Sequence, residues 1–403
     1  MIDFEIERFV RKYMTGREES LLAEDFRRCE AEMHRRIDGK RMLVIGGAGT
    51  IGSNYVKAAL RGFRPQAMYV VDIDENALTE LTRELRAGEG YNVPEEYVTE
   101  PIDLGSGLFE RFFRARGPFD IVANFAARKH VRAERDVFSI EAMCETNVFM
   151  AKKLLDMLLE NPPEAFFCVS TDKAANPVNV MGATKKLMEE TIMAYAGMIP
   201  IKTARFANVA FSNGSLPIGW LNRIAKRQPL SCPVGIRRFF VSPVESGELC
   251  LFASVMAESE DIVYPKLDPE RDMIPFDRVV KDMLEEMGLG CKACGSTAEA
   301  KAAMRDLGGG YPCEFFGSDT SGEKTFEEFY TERDEKDETT FARLGRVKNA
   351  RRRPVEEVEA IFAGLRRVLG KEGATKAEVV EVLKDYLPDF RHIEKGKSLD
   401  SRM

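Results

Sequence analysis

The chain has 403 residues, 44% hydrophobic and 31% charged, with a formal net charge of -7 at pH 7. That supplies apolar material for one large or two ordinary cores, and the acidic balance with a lone basic run, Arg351-Arg352-Arg353, argues against nucleic acid as the main ligand. The opening MIDFEIERFVRKYMTG is too charged for a signal peptide, and no stretch approaches the roughly 18 apolar residues of a membrane span, so a cytoplasmic protein with reduced cysteines and no membrane insertion is expected.

Residues 1–39 alternate charge with Phe9, Val10, Leu21, Leu22, Phe26 and Met33, the pattern of an N-terminal extension of amphipathic helices. From 40 to 210, short apolar runs (RMLVIGG, AMYVVDID, the run ending in Ile102-Asp103, FDIVANFAA, AFFCVSTD, IKTARFANV) are separated by helix-length segments. This alternation predicts the α/β class: a doubly wound, Rossmann-type parallel sheet with helices on both faces. Residues 211–345, broken by Pro217, Pro229, Pro233 and Gly308-Gly309-Gly310, read as a smaller mixed substrate-binding part, with 235–265 returning to the first domain. Residues 346–403 read as a helical tail containing PVEEVEAIFAGLRRVL and TKAEVVEVLKDYL. Cys291-Lys-Ala-Cys294 has no second CxxC, and His34, His130 and His392 are remote from it in sequence, so no metal site is expected.

In LVIGGAGTIGSNYVKAAL, Gly46, Gly49 and Gly52 stand between an apolar strand and an amphipathic helix, with Thr50 and Ile51 in the turn. Such glycines let backbone approach a pyrophosphate at the positive end of a helix. Asp72 ends the second apolar run, twenty residues after Gly52, where a carboxylate accepts from ribose hydroxyls. It would repel a 2'-phosphate and no arginine follows at once, which selects NAD over NADP. Asp103 is placed to reach the adenine, and Asn124, Ala126 and Ala127 to line the inner half of the cofactor site.

After the fifth run come Ser170, Thr171, Asp172 and Lys173, a row of hydroxyl, acid and base groups where a doubly wound sheet binds ligands. Asn179 to Lys185 opens the next helix, with Met181 and Lys185 one turn apart on one face and Lys185 directed at the nicotinamide ribose. A thioether at 181 can neither give nor take a proton.

Together GGAGTIGS, Asp72, FAARKHV with Glu134 and Thr146-Asn147-Val148, STDKAANPVNVMGATK, RFANVAFSNGS and SGEKTFEEF resemble the UDP-N-acetylglucosamine 4,6-dehydratases of the extended short-chain dehydrogenase/reductase superfamily. The resemblance runs from about residue 17 to 345. Members that invert the sugar at C5 carry tyrosine before the lysine and retaining members of the capsular polysaccharide type carry methionine, so Met181 implies the retaining branch. The resemblance implies oxidation at C4 by NAD, elimination of water across C5 and C6, and hydride return to C6.

Asp172 and Lys173 are then the acid and base candidates. For those roles Asp172 must be protonated and Lys173 neutral, or the two must share a proton. The C4 proton falls to Thr171 through a relay, to Asp172 or to Lys185. Lys129, His130, Asn208, Ser212, Ser215, Arg238 and Lys324 are the candidate substrate contacts, the last two for the diphosphate.

Two features depart from the family. Thr320 stands where relatives carry arginine four residues before the GEK lysine, and 266–316 matches poorly, which leaves room for a GDP-linked sugar in place of UDP. An epimerase or reductase on the same fold would also carry much of this pattern, as would a non-catalytic nucleotide-sugar-binding protein. A homodimer or higher homo-oligomer is expected.

Overall fold

A computed structural model describes residues 4–131, 134–317, 324 and 326–394. The amphipathic N-terminus forms α1 (Ile6–Phe9), which runs on as a π-helical turn (Val10–Thr15), and then α2 (Ala23–Ile37). Strands and helices then alternate: β1 (Arg41–Ile45), α3 (Thr50–Gly62), β2 (Ala67–Asp72), α4 (Glu75–Ala87), β3 (Glu96–Pro101), α5 (Gly107–Arg116), β4 (Ile121–Asn124), α6 (Val137–Cys144), α7 (Met150–Leu158), β5 (Ala165–Val169), α8 (Val180–Met193) and β6 (Ile201–Ala204). All of β4, β5 and β6 is buried, as helices on both faces of a parallel sheet require.

Shorter elements follow: β7 (Asn208–Val209), α9 (Leu216–Ala225), β8 (Leu230–Val234), β9 (Arg237–Val241), α10 (Pro243–Met256), β10 (Ile262–Pro265), β11 (Met273–Pro275), α11 (Phe276–Glu286), β12 (Cys291–Cys294), α12 (Thr297–Ala303), β13 (Tyr311–Gly317), β14 (Lys336–Asp337), β15 (Leu344–Val347), α13 (Val355–Leu369) and α14 (Lys376–Tyr386). Among the described residues the large sheet has nine strands in the order β14-β15-β10-β6-β5-β4-β1-β2-β3, parallel from β10 to β3, with β15 antiparallel to both β10 and the edge strand β14. The chain reverses its direction of travel between β1 and β4, the place where such sheets open a ligand crevice.

The sheet therefore draws strands from 262–265 and from 336–347, the latter straddling the boundary at 345 between the segments read from sequence as substrate-binding part and helical tail. Its carrier, LGRV, is too short a run to announce a strand on its own. Likewise β3 ends at Pro101, so Asp103 lies in the turn beyond the strand.

A second apolar cluster, with Phe211, Trp220 and Val280 at its centre, sits under the small sheets β11-β9-β7 and β12-β13-β8. Phe9 of α1 is part of it, edge-on to Phe211 at 5.8 Å between ring centroids. At the other end of the chain, α13 lies against the α7 region, with Phe362 4.8 Å from Phe149 and Arg353 paired with Glu190 of α8 at 2.5 Å. Cys291 and Cys294, three residues apart on β12, point to opposite faces, which prevents them from sharing a ligand.

Candidate active site

The glycine turn after β1 is a cradle that side chains would fill. Gly46 has φ +69°, and a Cβ there would stand 2.5 Å from the backbone nitrogen of Ala126. A Cβ on Gly52 would stand 2.3 Å from the carbonyl oxygen of Gly46. No side chain caps the start of α3, so its first N–H groups remain available to an anion.

Asp72 orders this turn: Oδ2 accepts from Ala48 N at 2.9 Å and Oδ1 from Asp74 N at 3.1 Å, with lone pairs left over. The Thr50 hydroxyl accepts from Asn213 N at 3.0 Å, tying the turn to the loop after β7, and Ile51 is half-buried. Asn124 is buried and accepts from Ala126 N at 3.0 Å, so it shapes the turn that presents half-buried Ala126 and Ala127. Asp103 is exposed and accepts from Gly105 N. A backbone cradle, an uncapped helix start and a carboxylate at the next strand end fit a dinucleotide pyrophosphate and its ribose.

The second half of the site is built at the end of β5. Asp172 Oδ1 receives three donors: the Thr171 hydroxyl at 2.7 Å, Lys173 N at 2.9 Å and Lys173 Nζ at 3.0 Å. Its Oδ2 is buried with no partner. The other side of Lys173 Nζ faces Glu327 at 3.7 Å, and Arg238 approaches the same Glu327 oxygen at 3.9 Å. Glu327 is 5% exposed, and its Oε2 is likewise buried without a partner.

Burial pushes the Lys173 ammonium toward losing its proton, but Asp172 and Glu327 more than offset this, so its pKa lies above the usual lysine value. Of the two expectations, a neutral Lys173 or a proton shared with Asp172, the 3.0 Å contact between Lys173 Nζ and Asp172 Oδ1 suits the second. Two carboxyl groups flank Lys173, one of which went unnoticed in the sequence. For Glu327, burial and then the Asp172 charge outweigh Lys173, Arg238 and Lys324, and its pKa is raised.

Asn179 caps α8 by accepting from Gly182 N at 2.7 Å, and both Met181 and Lys185 are buried on it. Lys185 Nζ donates to Val169 O at 2.9 Å, which places it under the end of β5. Burial lowers its pKa.

Two anchors hold the segment carrying Glu327 over this strand end. Ser170 donates to Glu189 Oε1 at 2.6 Å; Arg205 grips both Glu189 oxygens and donates to Phe329 O at 3.0 Å. Asn176 donates to Glu328 at 3.0 Å. On the far side of the loop, Glu134 accepts from Val180 N at 2.5 Å and meets His392 at 3.1 Å, while Arg391 and Ile393 donate backbone N–H groups to Pro177 and Val178.

A family model described as polysaccharide biosynthesis protein matches residues 42–349. The chain belongs to that family. Similar proteins include the Uncharacterized membrane protein MJ1061 of Methanocaldococcus jannaschii, 35% identical over 62% of this chain and 73% of that protein. The Probable polysaccharide biosynthesis protein EpsC of Bacillus subtilis is 29% identical over 58% of this chain and 38% of its own length, so the chain spans well under half of that relative. A UDP-N-acetylglucosamine 4,6-dehydratase (inverting) of Campylobacter jejuni is 26% identical over 57% of this chain and 68% of that enzyme.

Among solved structures, Pen from Bacillus thuringiensis superposes with TM-score 0.62 at 22% identity, covering 81% of this chain and 98% of that one. The dTDP-glucose 4,6-dehydratase DesIV of Streptomyces venezuelae gives 0.50 at 18%, covering 62% and 81%. At these identities the likeness establishes the fold alone, a mostly parallel Rossmann-type sheet with helices on both faces. Among the described residues no helix is long and apolar enough to cross a membrane, and no group of three His, Cys, Asp or Glu side chains stands ready to hold a metal ion.

The residues singled out from sequence as substrate and catalytic groups fall into two sets in space. Thr171, Asp172, Lys173, Arg238 and Lys324 converge: buried Arg238 donates to Lys324 O at 3.0 Å, and the Lys324 ammonium lies 3.8 Å from Glu328. The other set stands around the loop tied to Thr50. The His130 ring lies over Gly214, Lys129 is exposed, Ser212 is half-buried, and Ser215 at the start of α9 keeps a buried hydroxyl without a partner. Asn208 is half-buried and reaches Phe239 O at 3.5 Å. Thr320 and Ser321 to Glu323 lie outside the described residues.

Sequence reasoning did not single out Glu327, Glu189 or Arg205. Arg205 and Glu327 sit inside the RFANVAFSNGS and SGEKTFEEF motifs, and in the second of these nothing local separates buried Glu327 from its exposed neighbour Glu328.

Proposed function

We propose that the chain is an NAD-dependent nucleotide-sugar 4,6-dehydratase that converts UDP-N-acetylglucosamine to the 4-keto-6-deoxy sugar with C5 configuration retained. One observation carries this reading: an acid–lysine–acid cluster with two bare carboxyl oxygens stands at the end of β5, while buried Met181 occupies the helical position from which a tyrosine would serve carbonyl–alcohol interconversion alone. Elimination needs a base at C5 and an acid at the C6 hydroxyl, and a C4 epimerase needs neither. The Campylobacter jejuni relative named as a 4,6-dehydratase, and the NAD-bound dehydratase and epimerase structures on the same fold, support the class.

When bound, NAD accepts the hydride of C4 and returns it to C6. Gly46, Gly49, Gly52 and the start of α3 would hold its pyrophosphate, Asp72 its adenosine ribose, and Lys185 the ribose next to the nicotinamide. Thr171, half-buried and hydrogen-bonded to Asp172, carries the C4 proton away. Arg238 and Lys324 supply positive charge for the diphosphate. Met181 takes no part in proton transfer, which is why Thr171 is assigned that step.

The test is incubation of purified protein with UDP-N-acetylglucosamine in deuterated water, followed by mass spectrometry and NMR. The dehydrated keto-sugar with deuterium at C5 and unchanged ring configuration is expected. A simple isomer would establish an epimerase instead, and recovery of unchanged, unlabelled sugar would remove the enzymatic reading. Running GDP-linked sugars in parallel decides the nucleotide.

A further inference from the structure

The cluster at the end of β5 holds one cation between two carboxyl groups, and the two carboxyl groups are not equivalent. On Asp172, Oδ1 is occupied by three donors and Oδ2 is bare. On Glu327, Oε1 faces Lys173 and Arg238, and Oε2 is bare and buried. An unpartnered buried carboxyl oxygen is costly unless a ligand group meets it, and two such oxygens flank a single lysine here.

An elimination needs two oxygens of this kind with opposite tasks, one arriving without a proton and one with it. Lys173, held between both carboxyl groups, is placed to remain an ammonium and not to act as the base. Resting on the 4,6-dehydratase reading, we propose that Glu327 is the acid that protonates the departing C6 hydroxyl, while Asp172 Oδ2 takes the C5 proton and Lys173 stays as the cation between them.

The step balances. The C5–H bond breaks and its proton passes to Asp172 Oδ2; the electron pair forms the C5–C6 double bond as the C6–O bond breaks; the Glu327 proton joins that oxygen and water leaves. Hydride return to C6 is matched by return of a proton from Asp172 to C5. One proton leaves at C4 through Thr171, and one returns to Glu327 from solvent, for which a cavity of about 750 Å³ bordered by Glu327, Arg237, Phe239 and Tyr264 gives room.

Position supports the assignment. Glu327 belongs to a segment that reaches the strand end from another part of the chain, and Arg205 fixes that segment through Phe329 O at 3.0 Å while leaving the Glu327 side chain unbonded at Oε2. A carboxyl serving only to neutralise Lys173 would gain nothing by keeping one oxygen bare.

The experiment compares wild type with Glu327→Gln and Glu327→Asp on the nucleotide sugar in deuterated water, reading both dehydration and deuterium at C5 of recovered starting sugar. In Glu327→Gln, dehydration should fall by about 100-fold or more while the recovered sugar still gains deuterium at C5, because C4 oxidation and C5 deprotonation do not use Glu327. Glu327→Asp, which keeps an acid, should recover part of the dehydration. The proposal is overturned if Glu327→Gln dehydrates within about threefold of wild type, or if C5 exchange disappears together with dehydration.

Should Glu327→Gln fail to fold, the aspartate variant carries the test by itself, with exchange expected to outrun elimination. Equal loss of both in that variant overturns the proposal. A wild type that dehydrates no nucleotide sugar would refute the proposed function, a result distinct from any variant outcome.

Discussion

Arg205 and Glu189 meet as a two-pronged ion pair in the core, Nε to Oε1 at 2.8 Å and Nη2 to Oε2 at 2.6 Å, each about 1% exposed. Burial alone would raise the Glu189 pKa, and Arg205 more than reverses it. Removing one partner strands a buried charge, so Glu189→Ala should destabilise the fold by about 3–5 kcal/mol in urea denaturation. Replacing the pair together, Glu189→Leu with Arg205→Met, should recover most of that stability. Turnover should stay low in the double variant, because Ser170 and Phe329 both lose the anchor that holds Glu327 above Lys173.

This pair also shows where sequence reading stops. The parallel sheet, the glycine turn and the β5 strand end are local patterns, each written in a run of fewer than about twenty residues with a period that a helix or strand imposes. Glu189, Arg205 and Glu327 act together across separations of 16 and 138 residues, and nothing local marks a charged side chain as buried rather than solvated. The surroundings of Lys173 were hidden for the same reason. Its second carboxylate comes from a segment whose approach is set by tertiary packing.

Gly52→Ala should abolish NAD binding with little change in secondary structure. The added methyl would press on the Gly46 carbonyl at 2.3 Å, backbone against backbone, and push the turn out of the shape that admits a pyrophosphate. Titration of cofactor by calorimetry checks this, and wild-type affinity in the variant would remove the glycine turn from the cofactor site.

Lys173→Ala should reduce dehydration by at least about 100-fold while leaving NAD bound, since its ammonium faces Asp172 and Glu327. It should also leave Asp172 and Glu327 without the ammonium that stands between them. Product analysis by NMR, with the cofactor released and quantified by chromatography, separates a lost reaction from a lost cofactor. Full activity in this variant would sink the proposed mechanism.

Lys185 is the group whose removal should change the pH dependence of stability. Burial lowers its pKa in the folded state below the unfolded value of 10.5, so between the two values the unfolded chain binds the extra proton and stability rises with pH. Below the folded value both states carry the proton and the cost of burying the charge is fully present. Lys185→Met keeps the volume and removes the titration, so its stability curve should be flatter than that of wild type over the alkaline range, the two differing most at neutral pH. If Lys185 also holds the ribose next to the nicotinamide, the same variant should bind NAD at least about tenfold more weakly, the loss of one hydrogen bond from a charged donor worth about 1.5–3 kcal/mol. Thermal melts across pH 6 to about 10 read the first effect and cofactor titration the second. A variant that retains the wild-type slope and affinity would show that the bond from Nζ to Val169 O is the whole of what Lys185 does.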